Sequence, residues 1–437
     1  MKTQFSKYWK SWSLGGFKAE LLQYFLAEYC CTRILKISVI GVCRKLKKRK
    51  GIKLIFFVVT AIYLIIVLTL IIALFLPDKE QTSEKPFVSV VVAARNEENH
   101  IGDLLEDLSQ QTYPSDSFEV IIVNDGSEDR TSEIIDSFVQ KDKRFIHLQA
   151  KPDPVSGLTA KKNALNQGIQ KSKADIILST DADCRVKATW IETMVSYFTG
   201  NVGMVVGFSQ FGKPGEKYSI FEQLQAIDFL ALMGAAQGAI NLGIPLAASG
   251  QNLAYRKQAF LEVGGFEKIK DRISGDDVLL LGLIHKLTNW KIRFAHSENA
   301  FNWTHPEKKL HDFLNQRKRW ASNGSIQLQL NKLFFVFISI MLLINATFLI
   351  GIPVYALLGL SLFTPLICLL AKVGIEFLMT LSAAIRFRRL DLIKYFPLWA
   401  LLQLPYVAVT GFLGTFGHFK WKDRTHRQEL TSFRIDT

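Results

Sequence analysis

The feature that most constrains the fold is an apolar run without a charged residue at positions 54–76. At about 1.5 Å per residue, a helix of this length crosses the roughly 30 Å hydrocarbon core of a bilayer. A second uncharged run, residues 333–371, is long enough for two spans. We therefore predict one transmembrane helix over 54–76 and two over 333–385, with the turn between the two near residues 351–353.

The net charge of +14 is explained by the same membrane. Lys and Arg are concentrated at residues 45–50, 386–389 and 420–427, next to apolar runs. Basic residues in such places attract anionic lipid and set orientation, so nucleic acid is not an expected partner. We expect residues 1–53 to be a basic, aromatic segment at the membrane interface and residues 418–437 to be a basic tail.

Residues 87–329 form the expected soluble domain, in which strand and helix patterns alternate. Strands are predicted at 87–94, 119–125, 145–150 and before Asp181, and helices at 97–110, 129–140, 159–171 and 278–287. This alternation predicts an α/β fold with a mainly parallel sheet covered by helices on both faces. Ligands of such sheets bind beyond the carboxyl ends of the strands.

Asp181 and Asp183 follow an apolar strand pattern and are separated by one residue. Side chains two apart on an extended segment point the same way, so both carboxylates can face one hard divalent cation. The bland alternative is a solvated turn, and taken alone it is the better interpretation.

Two further segments stand at predicted strand and helix ends. Asp125 precedes Gly126 and Ser127, and its carboxylate can accept the imide N–H of a pyrimidine, although turn and cap chemistry explains the same residues. Lys161 lies in the first turn of a predicted helix and could reach a nucleotide. Its alternative is an ordinary solvated lysine.

Six segments, in this order, closely resemble the membrane-bound family 2 glycosyltransferases of GT-A fold. They are residues 94–97 (ARNE), 124–127 (NDGS), 181–183 (DAD), 250–256 (GQNLAYR), 276–277 (DD) and 316–320 (QRKRW). The resemblance implies a nucleotide-sugar site in which Asp125 holds the uracil or ribose, Ala94 and Glu97 frame the base, and Lys161 lies nearby. It also implies that Asp183, with Asp181 beside it, binds Mg²⁺ or Mn²⁺ at the donor diphosphate.

The resemblance further implies that Asp277 is the catalytic base. The family's acidic pair usually reads Glu-Asp, and Asp276 in the first position is a departure that leaves the role of Asp276 open. Either acid could instead cap the helix predicted at residues 278–287. A base of this kind must stay ionised, which a nearby cation and helix N-terminus would favour.

Gln316, Arg319 and Trp320 share one face of a helix because they lie at i, i+3 and i+4. We expect Arg319 to pair with pyrophosphate, Gln316 to hydrogen-bond donor or acceptor oxygens, and Trp320 to stack on a sugar ring. The alternative is an interfacial helix of basic and aromatic residues before a span.

These predictions define an inverting transferase that moves a sugar from a nucleotide donor, expected to be UDP-linked, to a growing polysaccharide or other membrane-associated acceptor. Single-sugar transfer to a polyprenyl phosphate or sphingolipid, or non-catalytic ligand binding, are the alternatives. We expect a multi-pass protein of the bacterial inner membrane whose catalytic domain faces the cytosol. One span after a cytosolic basic cluster would place that domain outside, unless residues 21–42 also enter the membrane or the N-terminus departs from the charge rule. The apolar stretch 395–417, with Pro397 and Pro405, is expected to be a third C-terminal span or a re-entrant element.

Overall fold

The computed structural model describes residues 49–77, 80–272, 274–324, 326–416, 418–421 and 424–427. The predicted interfacial segment and the possible span at residues 21–42 therefore lie, but for residues 49–53, outside the described part of the chain. Within it, four helical stretches are long and apolar enough to cross a membrane. They are Lys53–Leu74, Lys332–Leu357, Phe363–Arg386 and Leu390–Gly411.

The predicted soluble domain contains ten strands within the described residues. They are β1 (Val88–Ala94), β2 (Phe118–Asn124), β3 (Phe145–Gln149), β4 (Ile176–Ser179), β5 (Arg185–Val186), β6 (Val202–Gly207), β7 (Ser209–Phe211), β8 (Leu253–Arg256), β9 (Lys291–Ala295) and β10 (Asn302–Thr304). Seven of them form one sheet with strand order β3-β2-β1-β4-β8-β6-β9. All neighbours in the large sheet are parallel except β8, which runs antiparallel to both β4 and β6. Strands β5, β10 and β7 form a small second sheet, and β11 (His418–Trp421) pairs with β12 (Arg424–Arg427).

Helices flank the sheet and continue into the apolar bundle. They are α1 (Arg49–Leu74), α2 (Ile101–Ser109), α3 (Thr131–Lys141), α4 (Ala160–Lys171), α5 (Trp190–Ser196), α6 (Ile220–Asn241), α7 (Lys257–Glu262), α8 (Val278–Leu287), α9 (Leu310–Ala321), α10 (Gln327–Leu330), α11 (Lys332–Leu357), α12 (Phe363–Arg386) and α13 (Phe396–Phe416). Short 3₁₀ turns lie at Glu267–Ile269, Glu298–Ala300 and Leu390–Tyr395.

Strand β1 shows why both faces of the sheet are covered. Alternate side chains of a strand point to opposite faces. Val91 packs in one apolar core, whereas Val90 and Val92 pack in another on the opposite face. The predicted α/β class with a mixed, mainly parallel sheet and flanking apolar helices is confirmed.

The end of α12 is anchored in the domain core. Phe387, directly after the helix, is fully buried and stacks on Phe208 with ring centroids 4.0 Å apart. Arg389 is also buried, and its guanidinium donates to the carbonyl oxygens of Phe211 and Gly212. One apolar helix and the small sheet are thus joined by aromatic packing and buried hydrogen bonds.

Two local predictions were wrong. The helix predicted to end near residues 351–353 continues through Pro353 to Leu357, and the chain turns at Gly359, whose φ is +61°. A proline removes one N–H but does not force a helix to end when the surrounding apolar packing is continuous. The helix predicted from residue 97 begins only at Ile101, which leaves Glu97 in the loop after β1.

Candidate active site

The carboxyl ends of β2, β1 and β4 lie side by side because the three strands are parallel neighbours. Ala94 is buried, and its carbonyl oxygen accepts a hydrogen bond of 2.8 Å from the Asp125 amide. Gly126 has a φ of +71°, a value that favours glycine and turns the chain sharply after Asp125. Asp181 lies two residues beyond β4 at the same edge.

The predicted nucleoside residues form the outer part of this edge. Asp125 is half-buried, with an Arg95 guanidinium nitrogen 4.0 Å from its Oδ2. The amide of Glu97 donates to the Thr131 hydroxyl at 2.8 Å, which holds the β1–α2 loop against the start of α3. The structure thus brings Ala94, Glu97 and Asp125 together, and their contacts with a base stay a prediction.

The sequence argument assumed that Asp181 and Asp183 lie on an extended segment. In the structure neither residue belongs to a strand. Strand β4 ends at Ser179, and residues 181–184 form a turn in which the Cys184 amide donates to the Asp181 carbonyl at 3.1 Å. The two carboxylates therefore have different surroundings rather than equivalent positions on one face. Just before the turn, the Thr180 hydroxyl donates to the Gln251 carbonyl at 2.8 Å.

Asp183 is held in a poorly solvated position. Its Oδ2 accepts a hydrogen bond of 3.1 Å from Thr304 at the end of β10. Burial, and then the negative charge of Asp181, raise the pKa of Asp183. A site that crowds two carboxylates in this way is stabilised by a cation, and oxygen ligands suit Mg²⁺ and Mn²⁺.

The described residues contain no group of three or more His, Cys, Asp or Glu side chains placed to hold a metal ion. The carboxylates of Asp181 and Asp183 fit an ion that keeps water and takes phosphate oxygens as its other ligands, as Mg²⁺ commonly does. His305, which the sequence interpretation left without a role, follows Thr304. Its ring lies 4.9 Å from that of His100, centroid to centroid.

Lys161 joins the donor side of the site to the acidic pair. Its ammonium group lies 2.7 Å from Asp181 Oδ1 and 2.8 Å from Asp276 Oδ2. Burial disfavours the charged form, but Asp181 and Asp276 outweigh this effect and raise the pKa of Lys161. Lys161 therefore forms ion pairs with both Asp181 and Asp276 and links the two acids.

Lys162 holds the loop that carries the acidic pair. It is almost fully buried, and its ammonium donates to the carbonyl oxygens of Ile269 and Arg272. Burial lowers the pKa of Lys162 to about 8. The first turn of α4 thus makes two contacts. Lys161 contacts Asp276 of the acidic pair, and Lys162 contacts the loop that precedes this pair in the chain.

Asp277 lies at the N-terminus of α8. Its Oδ1 accepts from the Val278 amide at 2.6 Å, and its Oδ2 accepts from the Gly250 amide at 3.0 Å. Burial and the neighbouring charge of Asp276 raise the pKa of Asp277 to about 6. The capping role that the sequence left open is therefore present, and it coexists with a carboxylate that ionises near neutral pH.

The pKa of Asp276 is shifted in the opposite direction, below its usual value. Burial alone would raise its pKa, but the charge and hydrogen bond of Lys161 lower it, and Lys162 and Arg319 lower it further. Gly250 packs against both groups: a Cβ there would lie 3.2 Å from Lys161 Nζ and 3.3 Å from Asp276 Oδ2. A side chain at position 250 would crowd the ion pair.

Helix α9 carries Gln316, Arg319 and Trp320, and of these three Arg319 lies near the acidic pair. The Gln316 amide nitrogen donates to Glu307 Oε1 at 3.3 Å, and Arg319 is near enough to Asp276 to lower its pKa. One face of Trp320 is taken by the buried guanidinium of Arg317, 4.1 Å from the ring centroid. A sugar stacking on Trp320 would have to use the rest of the indole.

The sequence interpretation missed Lys162, Thr304 and Arg317. The local sequence does not single out Lys162, because successive helix residues point roughly 100° apart and both lysines could face solvent. Arg317 lies inside the QRKRW segment, but roles in this segment were predicted only for Gln316, Arg319 and Trp320. Nothing in the local sequence indicates that Thr304 donates to Asp183.

The mixed sheet with acids grouped at its carboxyl edge is the architecture of a glycosyltransferase domain. The profile of glycosyl transferase family 2 matches residues 89–264. The chain belongs to glycosyltransferase family 2.

Three curated relatives show the extent of the likeness. The glycosyltransferase AglE of Haloferax volcanii is 30% identical over 255 residues, 56% of this chain and 75% of AglE. The probable glycosyltransferase YdaM of Bacillus subtilis is 30% identical over 254 residues, and the poly-beta-1,6-N-acetyl-D-glucosamine synthase of Staphylococcus epidermidis 28% over 250 residues. The matched part covers 56% of this chain and only 56% of each of those two proteins.

Among solved structures, the mannosyltransferase PcManGT of Pyrobaculum calidifontis, in complex with GDP-Man and Mn²⁺, superimposes with a TM-score of 0.53. The alignment covers 83% of this chain and 99% of PcManGT, at 16% identity. A superposition at 16% identity shows that this chain and PcManGT share a fold.

Proposed function

We propose that this protein is an inverting glycosyltransferase that moves a sugar from a nucleotide donor, most simply a UDP-sugar, to a membrane-associated acceptor. The observation that carries the proposal is the connected cluster of Asp181, Lys161, Asp276 and Asp277 at the carboxyl edge of the sheet. The acids proposed for the donor side and for the base are linked through Lys161, although they come from distant parts of the chain.

In the proposed reaction Asp277 takes the proton of an acceptor hydroxyl. The hydroxyl oxygen bonds to the anomeric carbon on the face opposite the nucleoside diphosphate, whose bond to that carbon breaks. A pKa of about 6 keeps Asp277 mostly ionised at neutral pH yet basic enough to accept a proton. Lys161 keeps Asp276 charged beside it, so the two adjacent carboxyls do not compete for one proton.

Asp183 and Asp181 are the residues that would hold a divalent cation. Such an ion, when bound, neutralises the growing charge of the departing diphosphate. Ala94, Glu97 and Asp125 would hold the nucleoside, and Arg319 of α9 would add positive charge near the diphosphate. Gln316 and Trp320 would contact the transferred or accepting sugar.

The acceptor is proposed to reach this site from the membrane. Helix α9 packs against α13, and Phe313 of α9 stacks on Tyr406 of α13 with centroids 5.6 Å apart. The domain edge that carries the QRKRW segment is thus directly attached to the apolar bundle. A cytosolic location of the domain is part of the proposal, because nucleotide sugars are made there.

The direct test is incorporation of label by membranes that contain the protein, supplied in turn with a panel of radiolabelled UDP-sugars. We expect one donor to label a product, and we expect the label to be lost with Asp183→Asn or with excess chelator. The conservative variant Glu298→Gln, at an exposed position outside the site, should behave as wild type. Labelling that continues unchanged in chelator would contradict the metal assignment, and no labelling from any of the UDP-sugars would contradict the proposed donor.

A further inference from the structure

The segment that joins α7 to α8, residues 263–277, carries the acidic pair at its end. It contains a 3₁₀ turn at Glu267–Ile269, and Gly275, directly before the pair, has a φ of +98°. Glycine moves easily between backbone conformations, so a segment of this kind keeps one shape mainly through its contacts with neighbouring elements. The position of Asp277 therefore depends on what holds residues 263–277.

Lys162 of α4 holds this segment from one side. Its ammonium donates to the Ile269 carbonyl oxygen at 2.5 Å and to the carbonyl oxygen of Arg272. The lysine side chain is only 1% exposed, so bulk water does not compete for these hydrogen bonds. Hydrogen bonds from a charged donor are roughly twice as strong as those between neutral groups. Lys162 therefore fixes the backbone just before the acidic pair.

The end of α9 holds the same segment from the other side. The Arg272 Nη2 group donates to the Ser322 carbonyl oxygen at 2.7 Å, directly after α9. The Asn323 amide nitrogen donates to the Ser274 hydroxyl oxygen at 3.1 Å. Arg272 thus takes part in both attachments, because its carbonyl oxygen binds Lys162 and its guanidinium binds the end of α9. Lys162 is the attachment that belongs to the donor-side helix.

The charge of Lys162 acts on the acidic pair as well. Burial lowers the pKa of Lys162 to about 8, although the charge of Asp276 favours the ammonium form; Arg272 opposes that form and Asp271 favours it. Burial raises the pKa of Asp276, the charge and hydrogen bond of Lys161 lower it, and the charge of Lys162 lowers it further. An apolar side chain of similar length would avoid the cost of burying a cation. A cation kept at that cost, against the segment of the candidate base, indicates a role in the reaction.

We propose that Lys162 is a positioning residue for transfer: it fixes residues 269–277 so that the Asp277 carboxylate stays at the Gly250 amide with a charged Asp276 beside it. This inference rests on the proposed function and adds a residue that acts on the base through the backbone and through its charge. No chemical step is added, because the proton of the acceptor still goes to Asp277. Lys161, in contrast, pairs with the acids directly.

Lys162→Met tests this role, because methionine has a similar length but neither a charge nor a donor. Transfer and UDP affinity are measured on the purified full-length protein with the donor that labels a product. We expect kcat to fall on the order of tenfold or more, because a small misplacement of a reacting group is costly. The Kd for UDP should stay within about threefold of wild type, because no proposed contact with the donor is removed.

Lys257→Met is the matched control. The Lys257 ammonium donates to the Ser172 carbonyl oxygen at 2.7 Å, just beyond the opposite end of α4, so this variant also removes a hydrogen bond from a lysine to a carbonyl. It should keep the wild-type kcat. Wild-type kcat in Lys162→Met, or an equal loss in both variants, would overturn the inference.

The pH profile distinguishes a role of the charge from a purely structural one. Above about pH 8 the wild-type Lys162 is neutral, so its hydrogen bonds are weaker and Asp276 has lost a neighbouring cation. We expect the wild-type kcat/KM to fall above about pH 8. In Lys162→Met that fall should be absent, and the low kcat/KM should stay constant between about pH 7 and 9. A fall that persists in the variant, or a wild-type profile without one, would overturn the inference.

Hydrogen exchange covers the case in which the variant folds poorly. In Lys162→Met the amides of residues 269–277 should exchange about tenfold faster, whereas β1 and β2 should stay as protected as in the wild type. Unchanged exchange of residues 269–277 would contradict the positioning role. Faster exchange throughout the domain would mean loss of the fold, and the wild-type pH profile, which needs no variant, then decides. Absence of transfer by the wild-type protein to every acceptor would instead overturn the proposed function.

Discussion

At the scale of single residues, the adjacent acids Asp276 and Asp277 have opposite shifts in pKa. Lys161 lies 2.8 Å from Asp276 and keeps its pKa low despite burial, whereas Asp277 has backbone amides for partners and a pKa of about 6. Neighbouring carboxyls with separated pKa values are suited to different tasks. We therefore propose that Asp276 stays ionised at neutral pH and that Asp277 is the group that exchanges a proton.

This difference predicts the pH dependence of transfer. The raised pKa of Asp277 means that the carboxyl is protonated, and inactive as a base, below about pH 6. We expect kcat/KM to rise with pH through a midpoint near 6 and to fall about tenfold per unit below it. A profile that is flat between pH 5 and 8, measured with initial rates at fixed metal concentration, would contradict the role given to Asp277.

Lys161→Met should damage the site more than a surface change of the same kind. The variant leaves Asp181 and Asp276 without their shared cation, and an unpaired charged group costs on the order of 2 kcal/mol in stability. We expect kcat to fall on the order of a hundredfold, as when one electrostatic group of an active site is removed. Lys171→Met, at the exposed end of the same helix, is the control and should retain wild-type kcat and unfolding temperature.

At the scale of elements, the sequence predicted the alternating strands and helices because buried parallel strands are nearly continuous apolar runs. It also placed Asp125 at a strand end, where the structure has it, whereas the strand expected to reach Asp181 ends at Ser179. It did not show that β8 enters antiparallel between β4 and β6, since pairing direction depends on partners distant in sequence. The turn at residues 181–184 was the alternative interpretation of Asp181 and Asp183, and their spacing alone did not decide between a turn and an extended segment.

The junction after α12 gives a prediction about an element. Phe387 packs on Phe208, Phe294 and Phe301 in the domain core and is fully buried. Phe387→Ala should therefore lower the free energy of unfolding by about 3–5 kcal/mol through lost burial and a cavity. In detergent this should appear as a clear fall in unfolding temperature, whereas Phe363→Ala, 72% exposed at the other end of α12, should leave it nearly unchanged.

At the scale of the whole molecule, the uncharged runs of the sequence predicted apolar helices that the structure contains. The sequence could not predict the cavity of about 240 Å³ between them, because its walls come from six helices spread from α1 to α13. Arg317 illustrates the limit. Its position in a basic segment favours solvent or phosphate, yet tertiary packing buries it between Asp228 and Trp320.

Ligand binding should stabilise the molecule as a unit if donor and metal share one site. A ligand that binds only the folded state raises stability by about 2.7 kcal/mol at a hundred times its Kd. We expect UDP with Mn²⁺ to raise the unfolding temperature by several degrees, and chelator to remove most of that increase. Asp183→Asn should show little response to Mn²⁺, and a wild-type response in that variant would argue for a metal site elsewhere.

The central claim is that Asp277 is the base that activates the acceptor, and substitution by an isosteric amide tests it most directly. Transfer by Asp277→Asn and its affinity for UDP are measured on the same purified sample. We predict that transfer falls below detection because the amide cannot accept the proton. The Kd for UDP should stay within about threefold of wild type, because no proposed contact with the donor is removed. A threefold change is less than the 1.4 kcal/mol that corresponds to a factor of ten. Near-normal transfer by this variant would contradict the account.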